Sequence, residues 1–240
     1  MPSPVATSPD YSDLTVDPTS VAIPSWETWP LDDLGTGTDP GTNADAPRVL
    51  DPVGEDLVPA VRSGVQAINA YRAAGWLESC DIVLVRSGLV ERLQEAEARL
   101  PVGFGLAIFD AWRPQALQRA LYEAARTVPG AIEAGLVAEP SCDGQLPSPH
   151  QTGGAVDVTL RYAGRALALG TDFDAFNDRT ATRAFEQTPG LVRDLRRTLY
   201  WAMADAGFVN FAGEWWHYEY GTSRWAAQTG LRPVYGFAHP

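Results

Sequence analysis

His150-Gln151-Thr152-Gly153-Gly154-Ala155-Val156-Asp157-Val158-Thr159-Leu160 is the stretch on which the reading of this chain turns. The glycine pair lets the backbone fold back tightly. Beyond it the residues alternate. Val156, Val158 and Leu160 fall on one face, and Ala155, Asp157 and Thr159 on the other, which is the period of a β-strand. A carboxylate between Val156 and Val158 needs a partner if it is buried. A metal ion would serve, and so would an arginine or backbone amides. The tight turn also lets His150 and Asp157 approach a single ion.

The rest of the chain mixes helix and strand signals around this strand. Upstream, residues 61–74 read as a helix and residues 82–85 as a short apolar strand. Ser87 then caps a helix with Leu89, Leu93, Ala96 and Leu100 at helical spacing. Residues 104–109 read as a buried strand. Arg113-Pro114 follows, and proline suits the first turn of a helix that runs to about Arg126, with Leu117, Ala120, Leu121 and Ala124 inward. Residues 129–149 read as loop. Downstream, Thr188-Pro189 opens a helix with Leu191, Leu195, Leu199 and Ala202 inward, stopped by Gly207. Residues 208–211 and 215–220 form a terminal strand pair. No internal repeat is present, and the βαβ rhythm of a parallel sheet is missing. The expected fold class is α+β: a single domain with a small antiparallel sheet flanked by helices, and a zinc site in a cleft on the sheet.

Residues 1–47 are rich in Pro, Thr, Ser, Asp and Gly, too polar to build a core alone. They read as an N-terminal extension, disordered or wrapped on a domain of residues 48–240. Trp26 and Trp29 are the side chains that could pin it down.

Composition excludes several classes. With 45% hydrophobic residues in 240, the chain can bury a sizeable core. Its formal net charge of −12 argues against nucleic-acid and anionic-membrane partners, which select basic surfaces. No apolar run is long enough to span a bilayer. The N-terminus lacks the charged-then-apolar pattern of an export signal, so the expected location is cytoplasmic. Oligomeric state leaves no mark in the sequence. Lysine is absent, so a fixed cation in any site is an arginine or a metal. Cys80 and Cys142 make no disulfide-rich scaffold and lack the neighbours of a zinc-binding pair. Two thiols or one disulfide both fit them.

Only three histidines occur in the chain. His150 and Asp157 flank the glycine turn, and His217 ends Glu214-Trp215-Trp216-His217. His239 is a tail residue beside the C-terminus. A catalytic zinc takes three protein ligands and leaves one position for water. A nearby carboxylate can then accept that water's proton. Residues i and i+3 of a straight strand face opposite sides, so Glu214 and His217 share a site only if the chain kinks or Glu214 lies in the preceding turn. Gly213 allows that kink. No second histidine follows, so this is not the helical HExxH motif. Arg113, in Asp110-Ala-Trp-Arg113-Pro114, is either the partner of Asp110 or a cation for a substrate carboxylate or developing oxyanion.

Together, Ser148-x-His150-x-x-Gly153-x-Ala155-x-Asp157 and the downstream Glu214-Trp-Trp-His217 resemble the VanX-type D-alanyl-D-alanine dipeptidases. These belong to the zinc D,D-peptidase group that includes the VanY-type carboxypeptidases. The family's Asp-x-x-Arg-Pro element matches Asp110, Arg113 and Pro114. Its Gly-[Ser/Thr]-x-Phe-Asp element matches Gly170-Thr171-Asp172-Phe173-Asp174. The resemblance implies one zinc per chain, held by His150, Asp157 and His217. It further implies Glu214 as catalytic base, Arg113 as oxyanion stabiliser, Ser148 against the substrate backbone, and Asp174 at the free amino group of a small D,D-dipeptide. The activity implied is hydrolysis of D-alanyl-D-alanine or a close relative. A D,D-carboxypeptidase or another peptidoglycan peptidase built on the same site is the nearest alternative. A zinc-binding module without catalysis is a further one.

Overall fold

The alternating stretch becomes the central strand β5 (Ala155–Tyr162), whose first six residues are all buried. A computed structural model describes residues 10–31, 54–130, 132, 137–141, 146–175 and 177–240. On one side β5 pairs antiparallel with β4 (Phe104–Asp110), and on the other with β8 (His217–Glu219). The sheet order is β2-β4-β5-β8-β7, with β2 (Gln66–Ala67) parallel to β4, β7 (Val209–Asn210) antiparallel to β8, and β6 (Arg165–Ala166) paired with β5. The expected small antiparallel sheet is thus a larger, mixed one. A separate two-stranded sheet joins β1 (Leu57–Pro59) to β3 (Leu84–Arg86). The chain is a single mixed α/β unit.

Register places the site. Asp157 stands opposite Asp110 on one side and His217 on the other. A bulge between Ile108 and Asp110 shifts the register there. Such a bulge bends a strand and re-aims its side chains.

Helices cover the sheet. In α2 (Gly88–Ala98), Leu89, Leu93 and Ala96 are buried, each worth on the order of 1–3 kcal/mol for the leucines. Ser87 precedes it without a side-chain cap; Glu55 accepts from the Gly88 N–H instead. Leu100 lies beyond the helix end. In α3 (Gln115–Ala125) Leu117, Gln118, Leu121 and Ala125 face inward, whereas Ala124 is exposed. In α4 (Leu191–Asp205) Leu195, Leu199, Ala202 and Met203 are buried. It opens at Gly190, two residues after Thr188, because the Thr188 N–H closes a turn onto Phe185 and Gly190 takes an extended, positive-φ conformation.

Two elements depart from the sequence reading. The helix expected over 61–74 is replaced by a 3-10 turn (Ala60–Ser63), β2 and the short α1 (Ala70–Ala73). Gly64 at φ 85° and Asn69 at φ 56° are left-handed, and no α-helix passes through such residues. The terminal strands are shorter than expected, and an unforeseen helix α5 (Ser223–Thr229) follows, capped by Thr222.

Residues 10–31 lie along this domain. Val16 bridges to Leu167, the Trp26 indole donates to Thr198, and Tyr11 is buried against Tyr71 and Phe173. Trp29 is exposed, although its carbonyl accepts from Trp201. Residues 32–47 and Cys142 fall outside the described residues; Cys80 is a free, half-buried thiol.

Arg86 binds the turn to the chain's end. Its guanidinium donates to the carbonyls of Glu55, Thr152, Gly236 and Phe237, and the Ala238 N–H donates to Gln151.

The turn itself has no spare room. A Cβ on Gly154 would lie 2.5 Å from the Tyr220 carbonyl oxygen, a backbone atom that cannot step aside cheaply. Gly154→Ala is expected to cost about 1–3 kcal/mol, lowering the melting temperature by roughly 2–10 °C. Thermal unfolding checks this; an unchanged melting temperature would contradict the packing described.

Candidate metal and catalytic site

His150 sits on a short 3-10 helix (Pro149–Thr152) that ends at Gly153 with φ 72°. Its Nδ1 lies 2.6 Å from the Ala111 carbonyl oxygen. That oxygen can only accept, so Nδ1 carries the hydrogen and Nε2 keeps its lone pair. His217 leads β8. Its Nε2 lies 2.9 Å from the buried Glu219 carboxylate, which in the neutral ring assigns the hydrogen to Nε2 and the lone pair to Nδ1.

The two lone-pair nitrogens face each other at 3.1 Å. Asp157 Oδ1 is 3.0 Å from the first of them, His217 Nδ1, and 3.4 Å from His150 Nε2. Three acceptors thus converge in a buried spot. Without a cation or a shared proton between them they repel. Ligands of a tetrahedral zinc, bonded at about 2.0–2.1 Å, stand roughly 3.3 Å apart. The donor types and separations therefore fit a metal ion. Burial disfavours charge on His217, but its hydrogen bonds to Asp157 and Glu219 outweigh this and hold its pKa up at about 9. Without a metal, Nδ1 therefore carries a proton shared with Asp157, and a metal ion would displace that proton. Burial likewise opposes ionisation of Asp157, and the two histidines beside it keep it well below the usual carboxylate range.

Glu214 lies in the turn before β8. Its N–H donates to Phe211 and its carbonyl accepts from His217. The Asn210 side chain braces this turn by donating to the Glu214 and His217 carbonyls. The kink brings a Glu214 carboxylate oxygen to 4.0 Å from His217 Nδ1. Burial pushes the Glu214 carboxyl up to about 8, with His217 opposing and Asp157 and Asp174 adding to the rise.

Arg113 is a buried hub. Nε donates to Asp110 Oδ2 at 2.6 Å, and Nη2 to Asp157 Oδ2 at 2.9 Å and the Tyr71 hydroxyl at 3.2 Å. The Asp110 pair anticipated from sequence is real, and Arg113 reaches further, to Asp157. Tyr71 in turn donates to Asp174 Oδ2 at 2.8 Å. Asp174 has φ 55°, a left-handed conformation unusual for a residue with a Cβ and most tolerated by Asp and Asn. Burial lifts its carboxyl to about 6, with Arg113 and Tyr71 pulling the other way. The buried Ser148 hydroxyl has no hydrogen-bond partner among the described residues.

All seven residues singled out from sequence lie in one region. Six of them, Arg113, Ser148, His150, Asp174, Glu214 and His217, line a single cavity of about 1260 Å³, and Asp157 is buried behind them. Sequence reasoning missed Tyr71 and Glu219. Glu219 was accessible: it stands two residues after His217 and so projects to the same side of the strand. Tyr71 carries no local signal, since its role depends on meeting Asp174 across 103 positions of sequence.

Two imidazoles and a carboxylate around one point, with a further carboxylate beside them, are the donor set of a mononuclear metal site of the hydrolytic kind. Residues 71–231 match the peptidase M15 family, described as D-ala-D-ala dipeptidase, and the chain belongs to that family of metallopeptidases. A D-alanyl-D-alanine dipeptidase of Synechocystis is 25% identical over 222 residues, spanning 75% of this chain and 87% of the relative. One from Escherichia coli is 33% identical over 118 residues, 49% of this chain and 55% of its own length. Among solved structures, the LdcB LD-carboxypeptidase superposes with a TM-score of 0.43 at 18% identity, covering 77% of this chain and 78% of its own.

Tyr71→Phe removes one hydroxyl that is both donor to Asp174 and acceptor from Arg113. Loss of buried hydrogen bonds to charged groups is expected to cost about 1.5–3 kcal/mol. Denaturant unfolding measures this, and a change below ~0.5 kcal/mol would mean that the hydroxyl is not holding the pair.

Proposed function

We propose that this chain is a zinc-dependent dipeptidase that hydrolyses free D-alanyl-D-alanine or a close D,D-dipeptide. The observation that carries the proposal is the convergence of His150 Nε2, His217 Nδ1 and Asp157 Oδ1, with Glu214 beside them at the wall of the cavity. In this reading residues 48–240 are the catalytic domain, residues 1–47 an extension of it, and the site a cleft on the sheet.

His150, Asp157 and His217 would hold one zinc, which when bound supplies Lewis acidity and a water of lowered pKa. Glu214 accepts the proton of the attacking water and returns it to the leaving amine. Burial raises its pKa in the metal-free site, and a cation bound beside it would draw that pKa back down, favouring the carboxylate that accepts the proton. Arg113 supplies fixed positive charge where the carbonyl oxygen becomes negative. Two of its nitrogens are committed to Asp110, Asp157 and Tyr71, which fixes its plane. Asp174 binds the substrate ammonium, and the unpartnered Ser148 hydroxyl bonds the substrate backbone. An anion buried at one end of the cavity favours a substrate with a free amino terminus, which is a dipeptide's property and not that of an N-acylated peptide.

The first test is release of D-alanine from free D-alanyl-D-alanine, with zinc and with chelator. Chelator-sensitive release is expected; activity confined to an N-acylated D,D-peptide would move the assignment to a carboxypeptidase. Glu214→Ala is expected to lower kcat by at least ~10²–10⁴-fold with zinc stoichiometry kept, and His150→Ala to lose the metal. An active Glu214→Ala enzyme would remove Glu214 from the mechanism.

The state of Asp174 sets a pH dependence. Its free carboxyl titrates at about 6, so below that pH it is neutral and no longer attracts an ammonium. KM is therefore expected to rise as pH falls through about 6, and Asp174→Asn to show a high KM without that inflection. A wild-type KM flat from pH 5 to 8 would contradict the assignment.

A further inference from the structure

We infer that Glu219 is a positioning residue for the metal site: it fixes the tautomer and ring orientation of His217, so that Nδ1 is the nitrogen offered to the ion. The inference rests on the zinc reading above and adds to it a residue outside the ligand set.

Glu219 and His217 are two residues apart on β8 and project to the same side of the sheet. Glu219 Oε1 lies 2.9 Å from His217 Nε2. The Glu219 side chain is 0% exposed, and a carboxylate so placed is costly unless every lone pair is used. Three groups use them. Besides His217, the Thr222 hydroxyl and the Arg224 guanidinium both donate to Glu219. Thr222 is itself fixed, because its hydroxyl oxygen also caps α5 by accepting from the Trp225 N–H. Arg224 is steadied by the Phe211 ring, 4.5 Å from its guanidinium carbon. The acceptor of the His217 hydrogen is therefore held from two sides by the end of one strand and the start of one helix.

The alternative tautomer would keep a hydrogen bond from Nδ1 to Asp157 but lose the one to Glu219. With the hydrogen on Nδ1, His217 would point a donor at His150 Nε2 and Asp157 Oδ1, and its bare Nε2 at a carboxylate. Nδ1 would then be closed to a cation, and Nε2 would face an anion it cannot bond. Glu219 excludes that state. The pattern matches the outer-shell carboxylates that orient ligating histidines, whose loss typically weakens metal binding 10–100-fold.

The test uses the full-length chain and zinc alone. Zinc dissociation constants are measured by competition with a chromogenic chelator for wild type and Glu219→Gln, with thermal unfolding of the metal-free proteins alongside. The Glu219→Gln constant is expected to rise about 10–100-fold. A folded variant with an unchanged constant would show that Glu219 only braces the strand. A second measurement needs no variant. Nitrogen-15 spectra of the zinc-loaded wild type are expected to show His217 protonated at Nε2 with the metal on Nδ1, and coordination through Nε2 would overturn the inference. If the wild type binds no zinc, the metal reading itself falls, whereas zinc binding with an indifferent Glu219→Gln variant sinks this inference alone.

Discussion

Three acceptor atoms held face to face are the constraint around which this domain is arranged. His150 Nε2, His217 Nδ1 and Asp157 Oδ1 stand 3.0–3.4 Å apart, with room between them only for a proton on His217 or a cation. Nothing in hydrophobic burial favours such a cluster, and mutual repulsion opposes it. It persists because each member is tied from behind by a hydrogen-bonding group. Ala111 fixes His150, Glu219 fixes His217, and Arg113 takes the second oxygen of Asp157. Those ties come from β8 and from the segment that follows β4. The sheet register that sets Asp110, Asp157 and His217 abreast is therefore as much a part of the site as the side chains.

The second feature is how charge is balanced in a buried, acidic region. Asp110, Asp157, Asp174, Glu214 and Glu219 are all near the site, yet among the described residues Arg113 and the half-buried Arg224 are the arginines that reach it. Arg113 spreads one charge over Asp110 and Asp157 directly and over Asp174 through the Tyr71 hydroxyl. The planar guanidinium can do this because its donors lie in a rigid fork. The anions left over, and the raised carboxyls of Glu214 and Asp174, leave the region short of positive charge. A divalent ion held by His150, Asp157 and His217, as proposed above, would supply it.

Much of this was legible in the sequence, for reasons specific to each element. The alternation from Ala155 to Leu160 named its own strand, and Gly153-Gly154 its turn, because both signals are local. The core faces of α2 and α4 followed from leucine spacing. His150, His217 and Arg113 stood out as candidates because histidine is rare here and lysine absent, whereas Ser148 and Asp174 were candidates only through the resemblance to the VanX-type dipeptidases. What failed was non-local or conformational. Residues 61–74 carry apolar residues at helical spacing, but periodicity does not report that Asn69 is left-handed. The parallel pairing of β2 with β4 depends on two residues, too few to leave a pattern. Glu214 and His217 share a site only because Asn210 ties the turn between them.

The four carbonyls gathered by Arg86 couple places that sequence holds far apart. Glu55, Thr152 and the pair Gly236–Phe237 belong to three separate segments, and one side chain satisfies them all. The chain's end also closes on the same turn through Ala238 and Gln151. Segments outside helices and strands often open at little free-energy cost. Here fraying would strip a buried guanidinium of two acceptors and loosen the turn next to His150. The last few residues thus behave as a latch on the metal-binding turn, and the two should open as one cooperative unit in hydrogen exchange.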